Sequence, residues 1–173
     1  MSIKSRIIQR AVLARPLITH IMTVVTGSEA SINAAKYAIL SAKLYHCKLS
    51  AIYVVDTATI KSLTLHKIFI QEESSEYEKS LEANGNRYLY FVEDLARAKK
   101  VSIDCFIRKG AIHTEVLSAA DEKKVDMIII GGLDKDLVPH DTISHAYKEI
   151  IVHAKCSVLL VKEPNIDLRF RQE

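Results

Sequence analysis

From Pro16 onward, short apolar runs of strand length alternate with longer segments in which apolar residues recur every three or four positions. A parallel sheet covered by helices leaves this signature, because its strands are buried on both faces and its helices on one. The first predicted strand, residues 20–25, ends at Thr26-Gly27-Ser28. Gly27 permits a sharp turn there, and Ser28 or Ser31 can cap a helix that runs to about residue 46. Along that helix Ala34, Ala35, Ala38, Ile39 and Ala42 repeat at helical spacing, so small side chains face the sheet and allow close packing.

Residues 48–55 are the second predicted strand, followed by a connection over residues 56–71 rich in Ile60, Leu63, Leu65, Ile68 and Phe69. It is too apolar for an ordinary solvated loop, and three roles stay open: a lid, a contact with another subunit, or a flap over the core. Residues 72–100 read as a long helix with Tyr77, Leu81, Tyr88, Val92 and Leu95 near one face. Gly85 should cost about 1 kcal/mol in its interior and allows a local break. Next come a third strand at residues 102–108, a helix at 112–124 with Val116, Leu117 and Ala120 inward, and a fourth strand at 127–130 closed by Gly131-Gly132. A polar loop with Asp134, Lys135, Asp136, Pro139, His140 and Asp141 leads to a helix at 142–153 and a fifth strand at 158–162; Pro164 ends the domain.

The 173 residues suit one domain, at residues 17–164, with a basic extension at 1–16 and a short tail at 165–173. No run approaches the ~20 apolar residues of a membrane-spanning helix, and no secretory leader is evident, so a cytoplasmic address is expected. The net charge of +3 sits outside the domain: setting aside four basic residues in 1–16 and two basic and two acidic in 165–173 leaves 18 basic against 19 acidic. That balance, without interleaved aromatic residues, argues against nucleic-acid binding by the domain body. Cys47, Cys105 and Cys156 are odd in number, lack CxxC spacing and lie in or beside apolar runs, so they read as reduced, buried residues. Residues 1–15 combine Ile7, Ile8, Val12 and Leu13 with four positive charges; an arm on a partner subunit or a loose tail is favoured over a membrane-surface helix.

Over residues 18–163 the sequence resembles the universal stress protein family. The resemblance rests on Val24-Val25-Thr26-Gly27-Ser28-Glu29-Ala30-Ser31, on Ala35-Lys36-Tyr37-Ala38, and on Arg108-Lys109-Gly110 followed by Glu115-Val116-Leu117. It is most specific in Asp126-Met127-Ile128-Ile129-Ile130-Gly131 and Cys156-Ser157-Val158-Leu159-Leu160-Val161-Lys162. It implies an α/β fold: a Rossmann-like open five-stranded parallel sheet of order 3-2-1-4-5, with helices on both faces and a crevice at the carboxyl ends of the first and fourth strands. Ligands of such sheets bind at that switch point. It further implies a homodimer through the fifth strand, whose residues Val158, Leu159, Leu160 and Val161 would otherwise leave an apolar edge open.

Nucleotide-binding members of the family carry a motif of three glycines and a hydroxyl residue after the fourth strand, whose backbone N–H groups surround phosphates. Laid on this chain, it puts Gly131 on the first glycine, Asp134 on the second, Ser144 on the third and His145 on the hydroxyl residue. The acidic residue that binds ribose in such members falls on Thr26. Asp134, Asp136 and Asp141 add negative charge where a triphosphate would lie; like charges 4 Å apart repel by about 4 kcal/mol at an effective dielectric near 20. Magnesium bridging aspartate to phosphate could reverse that sign. The candidate crevice comprises Thr26, Gly27, Ser28, Val54, Val55, Gly131, Gly132, Asp134, Ser144 and His145.

No catalytic constellation emerges from Thr26, Ser28, His140 and His145, and His113, His140, His145 and His153 lack the spacing of a zinc motif. The expectation is therefore a non-enzymatic regulatory or ligand-sensing protein whose crevice binds ATP weakly or not at all, serving another ligand or a protein partner. The alternative is a nucleotide-dependent switch that holds ATP or AMP, with magnesium, through Gly131 and the backbone of Tyr53 to Val55.

Overall fold

The five apolar runs pair in parallel as β1 (His20–Val24), β2 (Lys48–Asp56), β3 (Asp104–Gly110), β4 (Met127–Gly131) and β5 (Ser157–Val161), in the order β3-β2-β1-β4-β5. The computed structural model describes residues 16–132 and 142–172; over 142–144 it gives helical backbone only. The basic extension at 1–15 lies outside the described residues.

Register follows from burial. His20 pairs with Lys48 and Val24 with Ile52 across β1 and β2, while Ile21 and Thr23 pair with Met127 and Ile129 of β4. Alternate residues of β1 serve opposite faces: Met22 and Val24 join one apolar cluster, Ile21 and Val25 the clusters on the other side. Both faces are covered by helices. On one lie α1 (Glu29–Tyr45), the long α3 (Gln71–Ala98) and the terminal α6 (Ile166–Gln172); on the other lie α4 (Ile112–Lys123) and α5 (Thr142–His153).

The small-residue stripe of α1 is fully used, since Ala34, Ala35, Ala38, Ile39 and Ala42 are all buried. In α3 the buried stripe is Gly85, Leu89, Val92 and Ala96, so the apolar face expected from the sequence drifts round the helix and Tyr77 is left exposed. No break occurs at Gly85. A Cβ there would stand 2.4 Å from the Tyr53 ring, so the glycine lets the helix run over that ring without interruption.

The connection after β2 is partly helical. Asp56 caps α2 (Thr57–Leu65), accepting from the Thr59 N–H at 3.1 Å and its hydroxyl at 2.6 Å. Ile60 alone in α2 is buried, whereas Leu65, Ile68 and Ile70 stay exposed, so closing the core accounts for one residue of this segment. Residues 166–172, placed by sequence in a tail beyond the domain, instead form α6. Ile166 and Phe170 are buried, Phe170 within the cluster of Ile39 and Ala42, and Lys36 of α1 forms an ion pair with Asp167. The alternation of apolar with charged residues after Pro164 spans only two helical turns, too short a pattern to stand out from a solvated tail.

Helices α1, α3 and α4 end alike. His46, Lys100 and Lys124 adopt left-handed backbone (φ 51°, 59° and 53°). Behind them the N–H groups of Cys47, Val101 and Val125 reach back to the carbonyls of Ala42, Ala96 and Ala120 at 3.2, 3.0 and 2.9 Å. This is the usual place for glycine, and a side chain there costs roughly 1–2 kcal/mol. At the start of the sheet, Asp126 accepts from the Thr19 N–H (2.7 Å), the Thr19 hydroxyl (2.6 Å) and the His20 N–H (3.0 Å), tying the entry of β1 to that of β4.

Candidate functional site

The carboxyl end of β1 turns sharply, and its turn is closed by its own hydroxyls. Gly27 has φ +87°, and the Tyr88 ring of α3 fills the space where its Cβ would be, 2.3 Å away. Ser28 caps α1 by accepting from the Ser31 N–H at 3.1 Å. Buried Ser31 returns the contact: its Oγ accepts from the N–H groups of Thr26 and Gly27, each at 3.2 Å, and donates to the Ser28 carbonyl at 2.9 Å. The Thr26 hydroxyl lies 3.1 Å from that of Ser28. Two N–H groups that could face a ligand are thereby taken by a side chain of the turn itself.

The fourth strand meets this turn from the side. A Cβ on Gly131 would stand 2.4 Å from the Ala30 carbonyl oxygen and 2.8 Å from the Ser31 nitrogen, so backbone packs directly on backbone there. Gly131 therefore has a packing reason to be glycine whatever binds nearby. The Gly132 N–H is bonded to the Val161 carbonyl at 2.8 Å, which carries the β4–β5 ladder one residue further.

Of the residues singled out by sequence, the structure gathers Thr26, Gly27, Ser28 and Gly131 around the first turn of α1. Val55 stands one residue before the end of β2 with its side chain wholly in the core, and Val54 packs half-buried against the opposite cluster with Phe106. His145 is exposed on α5, its ring 6.1 Å from that of His113 in an edge-on contact at 78°. Asp134, with Asp136, His140 and Asp141, lies outside the described residues, as does the side chain of Ser144.

Three residues that complete the site were not assigned to it by sequence. Tyr88 covers Gly27 and stacks with Tyr53 at 6.4 Å. Tyr147 is buried under the turn, where burial pushes its phenol up to about 12 while a hydrogen bond with Thr26 pulls the other way. Ser31 was legible as a cap, but its grip on two N–H groups depends on the turn's conformation. Tyr147 could have been found from helical spacing, lying on the same face of α5 as the buried Ile150.

Among the described residues the Thr26 and Ser28 hydroxyls of the turn meet each other rather than a base, and a phenol held near 12 is no base at neutral pH. Among the described residues no three His, Cys, Asp or Glu side chains could together hold a metal ion. The cysteines are unpaired and half-buried; burial raises all three thiols, Cys105 to about 12, so they stay protonated.

An open parallel sheet whose strand order reverses between β1 and β4, with helices on both faces and a glycine turn leading into the first helix, defines the Rossmann-like α/β class. Within that class the sequence pattern of the Universal stress protein family matches residues 18–162, and the chain belongs to this family. A universal stress protein of Methanocaldococcus jannaschii is 32% identical over 138 residues, which cover 80% of this chain and 78% of that protein. The fold is shared with the universal stress protein UspA from Lactobacillus plantarum (TM-score 0.70, 20% identity, 86% of this chain and 99% of that one). It is shared too with a universal stress protein family protein from Arabidopsis thaliana with AMP bound (TM-score 0.59, 15% identity, 83% and 90%). No helix among the described residues is long and apolar enough to cross a membrane.

Proposed function

We propose that the chain is a non-catalytic regulatory protein of the cytoplasm whose crevice has drifted away from ATP toward another small ligand or a protein partner. The observation that carries this reading is the self-satisfied turn. Ser31 takes the Thr26 and Gly27 N–H groups, and Thr26, engaged with Ser28 and Tyr147, brings no negative charge to ribose hydroxyls. Electrostatics supports the same reading. Lys109, the cation at the end of β3, is held by Glu78 at 3.1 Å and Glu82 at 2.7 Å, and the chain following Gly132 carries Asp134, Asp136 and Asp141. A triphosphate would have to displace one set and neutralise the other.

A second reading is favoured by the AMP held in the Arabidopsis relative: a nucleotide switch that accepts a monophosphate, with or without magnesium, on the backbone of Gly131 and of Tyr53 to Val55. A monophosphate brings less charge against the aspartates than ATP does. Thermal unfolding with MgATP, ADP and AMP separates the two. Saturation a hundredfold above the dissociation constant adds about 2.7 kcal/mol, a shift of several degrees for a domain this size. No shift with any of them is the expected result. A saturable shift with MgATP would sink the first reading, and one with AMP alone would establish the second.

A further inference from the structure

At the opposite end of the sheet, where the strands begin, α1 and α3 finish on either side of a concavity of about 1170 Å³. Five lysines line it, Lys43, Lys48, Lys99, Lys100 and Lys123, against one carboxylate, Asp104, which is already paired with Lys123 at 2.7 Å. We infer that this basin binds a small, multiply charged phosphate anion.

Cations at helix ends have an ordinary reason to be there, since they offset the partial negative charge of the last carbonyls. That reason covers Lys43, Lys99 and Lys123. It does not cover Lys48, which opens β2, or Lys100, which lies past the last turn of α3. Among the described residues neither pairs with a carboxylate, and both are exposed on the basin wall. Lys100 is also placed against the backbone's preference. It occupies the left-handed position after α3, as His46 does after α1, where glycine would be easier and where the chain spends none of its five glycines.

The shape and lining select the ligand class. The volume suits a small molecule rather than a duplex, and among the described lining residues there is no Phe, Tyr or Trp ring for a nucleobase to stack on, the rings present being the imidazoles of buried His20 and exposed His46. Cationic donors on several sides of a concave wall match an anion with several phosphate groups, whether carried by an inorganic chain or by a polyol.

The test is calorimetric titration of the full chain with inorganic tripolyphosphate and, separately, inositol hexakisphosphate at low salt, repeated with Lys48→Gln/Lys100→Gln and with Lys100→Gly. Saturable one-to-one binding of either anion, weakened about tenfold or more in the double variant, is expected. Which anion binds identifies the inorganic or the polyol source. Lys100→Gly should weaken binding while raising the unfolding midpoint by about 2–4 °C, a combination that a purely structural lysine would not give. Absence of saturable heat with both anions, or binding that the double variant leaves unchanged, overturns the proposal. So does tighter binding of a single-stranded oligonucleotide than of either anion. Nucleotide binding in the crevice at the other end of the sheet would be untouched by these substitutions, so each proposal can fail alone.

Discussion

Gly131 shows how one position can carry both a motif and a packing demand. Its hydrogen faces the Ala30 carbonyl so closely that a methyl group would sit 2.4 Å from backbone, which cannot move aside as a flexible side chain can. Gly131→Ala is therefore expected to lose about 1–3 kcal/mol in ligand-free urea unfolding. An unchanged midpoint would mean that the glycine serves a ligand rather than the α1–β4 contact. Asp126 gives a residue-scale prediction with a pH signature. Hydrogen bonds from Thr19, and then from His20, hold its carboxyl below the ordinary value, so it binds fewer protons in the folded state than in the unfolded one. Its contribution is present above the unfolded value near pH 4 and fades as pH falls through the lower folded value. Asp126→Asn should cost about 1–2 kcal/mol at pH 7, reduced by the site's partial exposure, and the gap to wild type should close below about pH 4. A gap that stays constant with pH would assign the effect to shape rather than charge.

At the scale of elements, α6 is the piece that changes the outline of the domain. Phe170 joins the buried cluster that holds Ile39 and Ala42 of α1 and Ala96 of α3, with the Lys99 ammonium over its ring at 4.7 Å. Phe170→Ala is expected to cost about 3–4 kcal/mol and shift the urea midpoint without altering the transition's steepness, whereas a dispensable tail would leave it unmoved. The contrast with the other elements explains what the sequence can say. The strands and α1 were legible because their burial is periodic over many residues, Ile128 to Ile130 being buried on both faces and the alanines of α1 on one. Helix α6 offers only Ile166 and Phe170, and α2 only Ile60, and two apolar residues do not make a period. Gly85 misleads for a related reason: its cost as a helix former is local and visible, while its benefit, the Tyr53 ring beneath it, comes from β2 and is not. At the switch point, the strand order and the turn that brings Thr26 beside Gly131 were legible. Tyr88 and Tyr147 reach that turn from helices distant in sequence; helical spacing marks Tyr147 as inward-facing, but not the Thr26 that it meets.

For the whole molecule, the open side of β5 decides the assembly. Ser157–Val161 pairs with β4 on one side, and among the described residues no strand lies along its other row of backbone N–H and C=O groups. The strand itself does not blunt that edge: it holds Val158, Leu159, Leu160 and Val161 without a charge, a proline or a bulge, and Leu160 is 37% exposed. Ile151 and Val152, on the helix leading into the strand, are exposed as well. A second copy related by a two-fold axis offers the same edge in return, so both can be satisfied in one isologous contact, which is why a homodimer through β5 is the proposed assembly. The mass in solution should then be twice 19.4 kDa, and the unfolding midpoint should rise with protein concentration because association stabilises the folded chain. Leu160→Lys places a charge on the open edge without removing a fully buried side chain, so it is expected to weaken association at least about tenfold while leaving the monomer folded. A wild-type mass of one chain, independent of concentration by light scattering, would eliminate this assembly and leave the apolar edge to be covered by a different protein.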